Sequence, residues 1–266
     1  MYLEFRNWLV KHFEGDVQPN RRDGIVWTVN TPQSKAEVKE AFHTMIGITR
    51  EKIRSGTFDR MIVEHDIVPP LSRADRDRSR RSILEGIGFG EDAWVFAYGS
   101  LIWNPAFHFV EKRVGRIHGY HRRFCLRSHV VRGTARKPGL IVALDCGGSC
   151  WGILYRIDAK DLELETSLIW EREMATRSYT PRWLKIRTET GAVRAIGFVA
   201  ERAYEHYAGQ LSFDETARII ATASGQLGTC LDYLRSILEN LNTFGVTDEQ
   251  LQNLLALAED MASGDV

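Results

Sequence analysis

Neither sign of charge dominates this chain of 266 residues: lysine plus arginine and aspartate plus glutamate each total 35. That balance excludes a global pull toward nucleic acid or an anionic membrane and leaves only local patches. Long apolar runs are missing too. Stretches such as Leu140 to Leu144 are a few residues long, so no bilayer span is expected. The first residues carry Glu4, Arg6, Lys11 and Glu14 among their apolar neighbours, which is not the h-region of a secretory signal. A cytoplasmic location is the expectation. Cysteine is sparse, and Cys125, Cys146, Cys150 and Cys230 read as reduced, mostly buried thiols. Cys146 and Cys150 flank Gly147-Gly148-Ser149, but no second Cys/His pair follows at zinc-like spacing. The segment reads as a turn between two strands, and no metal site is expected.

What is present is ordinary for a folded chain: 44% hydrophobic and 26% charged residues, too apolar for disorder. The length suits one large or two small domains. Residues 1–90 read as an N-terminal extension folded against the remainder, with a boundary near residue 91. Tyr2, Leu3, Phe5, Trp8, Leu9 and Phe13 share one face of a short helix, Ile25 to Val29 reads as a strand, and Val38, Phe42, Met45 and Ile46 stripe a second helix. Residues 73–81 hold five arginines and two aspartates, a mixed-sign pattern that reads as a solvated linker or helix face.

Residues 91–266 are rich in strand signals, beginning with Trp94 to Tyr98. Leu140–Leu144 and Trp151–Tyr155 are expected to form a hairpin across the Cys146–Cys150 turn, and Trp183–Arg187 with Ala195–Val199 a second one. Between them the pattern predicts a helix over about 161–172, with Leu164, Leu168 and Ile169 on one side and Glu163 and Glu165 exposed. Irregular sequence follows up to Pro181. Three helices close the chain, the clearest over 229–241. Strands first and helices last predict an α+β domain with a curved or barrel-like mixed sheet and helices packed outside.

The segment with most chemical content is Trp94 to Trp103, a buried strand ending in a Gly-Ser turn. Gly99 permits close backbone approach, and amides near Gly99, Ser100 and Leu101 can converge on an anion. Ser100 lacks the Gly-x-Ser-x-Gly pattern of a nucleophile elbow. Arg122 and Arg123 point to opposite faces of a strand, so at most one is expected to hold a carboxylate in the site. His118 and His121 read as structural.

Six collinear segments resemble the ChaC-like γ-glutamylcyclotransferases, a family that acts on glutathione. They are Tyr98-Gly99-Ser100-Leu101-Ile102-Trp103; Gly119 to Phe124; Lys137-Pro138-Gly139; Cys150-Trp151-Gly152 through Arg156; Arg172-Glu173 with Tyr179; and Gly225 with Cys230 to Leu234, including Tyr233. The resemblance runs from about Trp94 to Leu241. It implies a carbon–nitrogen lyase that needs no cofactor and releases 5-oxoproline and Cys-Gly, the substrate's own α-amine attacking its γ-carbonyl. Closing a five-membered ring draws on intramolecular proximity, which can supply up to ~7–11 kcal/mol. The resemblance further implies that Glu173 is the general acid/base and that Tyr98, Gly99, Ser100, Leu101, Tyr179 and Tyr233 bind the substrate. Trp170, Met174 and Tyr179 suit that role by drying the carboxyl and raising its pKa. Glu171, two residues away on the helix, points elsewhere. The chain departs from the family at Ala97, Asn104 and Leu140, where Gly, Lys and Arg are frequent, and in two extra residues between Glu173 and Tyr179. Two alternatives stay open: a cyclotransferase for other γ-glutamyl amides or dipeptides, and a non-catalytic γ-glutamyl-binding or scaffold protein. The oligomeric state is not legible.

Overall fold

The computed structural model describes residues 16–20, 26–30, 47–65 and 69–264. The helices expected over 1–13 and 34–46 lie outside them. The chain divides into two units at Gly47/Ile48. In the first, β1 (Asp16–Asn20) and β2 (Val26–Asn30) pair antiparallel, from Asp16↔Asn30 to Asn20↔Val26.

The second unit opens with three helices, α1 (Arg50–Arg54), α2 (Thr57–His65) and α3 (Arg73–Leu84). Of the two readings of the arginine-rich stretch, linker or solvated helix face, the helix is the one found, with Arg78 and Arg81 exposed. Ser72 caps α3 by accepting from the Asp75 amide, and Arg76 and Arg80 are buried. They can be buried because carboxylates meet them: Asp59 and Glu171 for Arg76, Asp77 and Glu163 for Arg80.

A closed barrel follows, built from β3 (Ala93–Ala97), β4 (Glu111–Ser128), β5 (Gly139–Ile157), β6 (Tyr179–Thr188) and β7 (Gly191–Ala200) in the order β3-β5-β4-β6-β7. β7 returns parallel to β3 at Val95↔Ile196. The hairpin expected between Leu140 and Tyr155 does not exist. Both runs belong to the single strand β5, which pairs with β4 from Ser128↔Gly139 to Glu111↔Arg156. The residues expected to turn form a bulge instead, in which Gly147 and Gly148 stand opposite Gly119 alone. All three have positive φ (97°, 65° and 85°), which glycine adopts without penalty. The second hairpin is present as β6–β7, joined at Glu189–Thr190, and β6 starts at Tyr179 with Pro181 inside it.

Helix α4 (Leu162–Glu173) lies between β5 and β6 in sequence. Trp170 is fully buried against Phe198 of β7, ring centroids 5.1 Å apart. The opposite side of the helix meets the N-terminal helices. Glu165 is therefore buried, not exposed, and binds Arg50 through both oxygens while accepting from the His108 amide at 2.9 Å. Of the expected apolar stripe, Leu164 is turned out, at 47% exposure, while Leu168 and Ile169 are buried. A helix sandwiched between two layers buries two faces, which an amphipathic pattern with one stripe does not show. The remaining helices are α5 (Phe213–Thr222), α6 (Cys230–Thr243) and α7 (Glu249–Ser263), with a two-residue ribbon, β8 (Ser224–Gly225) and β9 (Gly228–Thr229), between the first two. Thr229 caps α6, and Leu234, Leu238 and Leu241 bury its apolar face. Among the described residues no helix is long and apolar enough to cross a membrane.

Candidate active site

β3 runs between β5 and β7 and stops at Ala97. Beyond that point β5 and β7 meet directly, at Leu144↔Val199. Tyr98 and Gly99 leave the sheet at this fork, and Ser100–Ile102 form a single 3₁₀ turn. The turn uses the Ile102 amide on Gly99 O (2.9 Å) and the Asn104 amide on Ser100 O (3.0 Å). The first amides of such a turn, those of Ser100 and Leu101, are not consumed inside it. Space also limits the side chain at Gly99. A Cβ there would stand 2.9 Å from Val142 Cγ2 and 3.3 Å from Tyr233 Oη.

α4 ends beside this turn. Arg172, buried, donates through Nη2 to Ser100 Oγ at 2.8 Å and through Nη1 to the Asn104 carbonyl, while its Nε lies 3.2 Å from Glu173 Oε1. Glu173 keeps 13% of its side-chain exposure. Burial pushes its carboxyl above the usual glutamate range, and the charge of Arg172 holds some of that rise back. Glu171 faces the other way, 3.2 Å from Arg76, as the two-residue offset predicts.

Three tyrosines complete the cluster. Tyr98 donates to the Phe198 carbonyl (2.6 Å) and Tyr179 to the Val142 carbonyl (3.1 Å), so the two hydroxyls tie into the strands on either side of the fork. Tyr233, from α6, packs edge-on against Phe124 and near Trp103, centroids 5.9 and 5.8 Å away. Burial raises the pKa of all three phenols, and Glu173 lies close enough to add its repulsion to each. All are neutral hydrogen-bonding groups at physiological pH. A cleft of about 390 Å³ opens alongside, lined by Leu71, Met174, Arg177, Tyr179, Glu201 and Tyr204. Among the described residues no group of His, Cys, Asp and Glu side chains is arranged to hold a metal ion.

The structure thus brings Glu173, Tyr98, Gly99, Ser100, Tyr179 and Tyr233 together; Leu101 is buried in the adjoining core. Both Arg122 and Arg123 hold a carboxylate, but of the protein itself: Asp248 at 2.7 Å and Asp145 at 2.8 Å, on opposite faces of β4. Arg122 also donates from Nε to the Tyr98 carbonyl, bracing the strand end. His121 donates from Nδ1 to the Gly147 carbonyl (2.9 Å) within the bulge. Sequence reasoning missed Arg172 and Asn104 as members of the site. The available signal was a cation adjoining a carboxylate at the buried end of a helix.

A closed mixed barrel with a buried carboxylate at a helix end, set against a strand-terminal Gly-Ser turn, is the γ-glutamylcyclotransferase fold. The chain belongs to the ChaC-like protein family, whose model matches residues 93–261. It is 41% identical over 177 residues to the glutathione-specific γ-glutamylcyclotransferase of Escherichia coli K12, a match covering 64% of this chain and 77% of that protein. The γ-glutamylcyclotransferase 2-1 of Arabidopsis thaliana is 35% identical over 151 residues, 53% of this chain and 70% of its own. Among solved structures, the yeast γ-glutamyl cyclotransferase specific to glutathione superposes with a TM-score of 0.60 at 22% identity, covering 64% of this chain and 96% of that one.

Proposed function

We propose that this chain is a glutathione-specific γ-glutamylcyclotransferase, a cytoplasmic lyase that converts glutathione to 5-oxoproline and Cys-Gly with Glu173 as its acid/base. The observation that carries this reading is the buried Glu173 carboxyl at the turn of Tyr98 to Leu101, in a chain 41% identical to a relative named for that reaction.

The chemistry asks little of the protein. The γ-glutamyl group folds so that its α-amine meets its own γ-carbonyl carbon, and the Ser100 and Leu101 amides stabilise the oxyanion that forms. A donor of this kind is worth on the order of 3–4 kcal/mol. An α-amine titrates near ~7.7–8.0, so at neutral pH much of it must lose a proton before attacking. The ammonium gives up one proton to solvent; as the resulting amine attacks, Glu173 takes a second from the same nitrogen and returns it to the cysteine nitrogen as the amide C–N bond breaks. A raised pKa suits both steps, because the carboxylate accepts readily and the acid donates readily. Arg172 keeps the ionised form accessible and fixes Ser100 through the same guanidinium.

The test is incubation of the purified full chain with glutathione and mass detection of 5-oxoproline and Cys-Gly. Glu173→Gln is expected to cut turnover 10²–10⁴-fold with the fold retained. Near wild-type release of 5-oxoproline by that variant removes Glu173 from the role.

A further inference from the structure

We propose that Arg132 holds the carboxylate at the glycine end of the substrate, which makes it a specificity-determining residue for the tripeptide; this rests on the glutathione reading above. Arg132 lies in the loop between β4 and β5, and its guanidinium sits over the Tyr233 ring, 5.1 Å from the centroid. The same ring carries the hydroxyl that approaches Gly99. Arg132 is therefore one aromatic ring removed from the turn assigned to the γ-glutamyl end.

The arginine is held in place and only partly used. Nη1 donates to the Leu227 carbonyl at 2.5 Å and the Thr229 carbonyl at 3.3 Å, whereas Nε is buried with no hydrogen-bond partner. The buried arginines Arg76, Arg80, Arg122 and Arg172 each lie within 3.2 Å of a carboxylate oxygen. Arg132 has no such ion pair among the described residues. The acidic group that bears on it is Asp232, which is exposed and engaged with Thr229 and Arg235, and the remaining groups facing it are Tyr233 and Cys230. The Nε–Nη2 edge of a guanidinium matches a carboxylate with two parallel hydrogen bonds, and a desolvated cation gains most from such a partner.

The backbone is preorganised for this. Gln226 and Leu227 donate to Val130 and Val131 carbonyls at 2.8 and 3.0 Å, and the thiol of Cys230 donates to the Arg132 carbonyl. Gly133, Gly139 and Gly225 pack so closely here that a Cβ on any of them would meet backbone at 2.0–2.5 Å. The turn amides and Ser100 gather the γ-glutamyl end, so the far carboxylate is the one left for Arg132.

The experiment compares glutathione with its glycine amide, which keeps the length and loses the charge. On the wild-type chain, kcat/KM is expected to be ten- to hundredfold higher for glutathione, as a charge-assisted pair implies. Arg132→Gln should lose that factor on glutathione, mostly in KM, and lose much less on the amide, so that the preference for glutathione collapses. Equal use of the two substrates by the wild type, or an equal loss on both in the variant, overturns the proposal. Should Arg132→Gln fail to fold, Arg132→Lys, which keeps the charge but not the paired donors, takes its place and should lose part of the same factor on glutathione; an equal loss on both substrates overturns the proposal. Calorimetric binding of both peptides to Glu173→Gln separates the two readings. Preferred binding of glutathione without 5-oxoproline release from the wild type sinks only the lyase; equal binding sinks only Arg132.

Discussion

Glu173 and Arg172 are neighbours in the chain, buried together, and the balance between them decides when the carboxylate is charged. Burial alone raises the carboxyl; the guanidinium opposes it. In the general-base role proposed for it, Glu173 works ionised, so kcat/KM is expected to fall as pH drops through its elevated pKa. The acid limb should therefore lie above the ~4.3 of a free glutamate. Arg172→Gln removes the opposing charge and should move that limb to higher pH, with turnover at neutral pH down about tenfold or more. A pH–rate profile in which the variant's limb stays put or moves down contradicts this. At this scale the clustering of the proposed site was legible. Glu173, Gly99, Tyr179 and Tyr233 stand in ordered motifs, whereas Arg132 and Asn104 act through partners more than fifty residues away in sequence.

Helix α4 shows why elements are harder to read than residues. Its span was visible, but its second buried face depends on α1 and α3, which arrive from a distant stretch of the chain. The Arg50–Glu165 and Arg80–Glu163 pairs look alike on paper and differ in burial: Glu165 is 1% exposed and Glu163 76%. Arg50→Ala strands a buried carboxylate and should cost about 3 kcal/mol by denaturant unfolding. Glu163→Ala, at a solvated site, should cost less than about 1 kcal/mol. Burial disfavours the charged Glu165, yet Arg50 and the His108 amide outweigh it and hold its pKa down. The stability from this pair is accordingly complete above the unfolded glutamate pKa of ~4.3 and lost as pH falls through the lower folded value. Arg50→Ala should thus flatten the acid side of the stability curve. The β4–β5 bulge misled for a related reason. Two glycines between apolar runs signal a turn or a bulge equally, and the facing strand decides which.

For the whole molecule, the curved sheet with outer helices was expected and is found, closed into a barrel. The role of the first 90 residues was not legible. Within them, α1 and α3 supply Arg50, Arg76 and Arg80 to α4, and Ser79 and Ile83 accept from the Trp170 and Trp183 indoles at 3.2 Å. A chain beginning at Glu91 loses all of these and should be insoluble, or melt well below the full chain, having forfeited more than about 3 kcal/mol. A soluble, fully active product of that truncation would show that α4 holds its position unaided. The continuity of β5 through its bulge has a consequence for cutting the chain. Gly147–Gly148 and Glu189–Thr190 are both exposed links that a protease can reach. A nick at Glu189–Thr190 would separate β6 from β7 at their natural junction and leave each whole. One at Gly147–Gly148 would divide the strand that pairs with β3 at one end and β7 at the other, and the two halves of the wall would come apart.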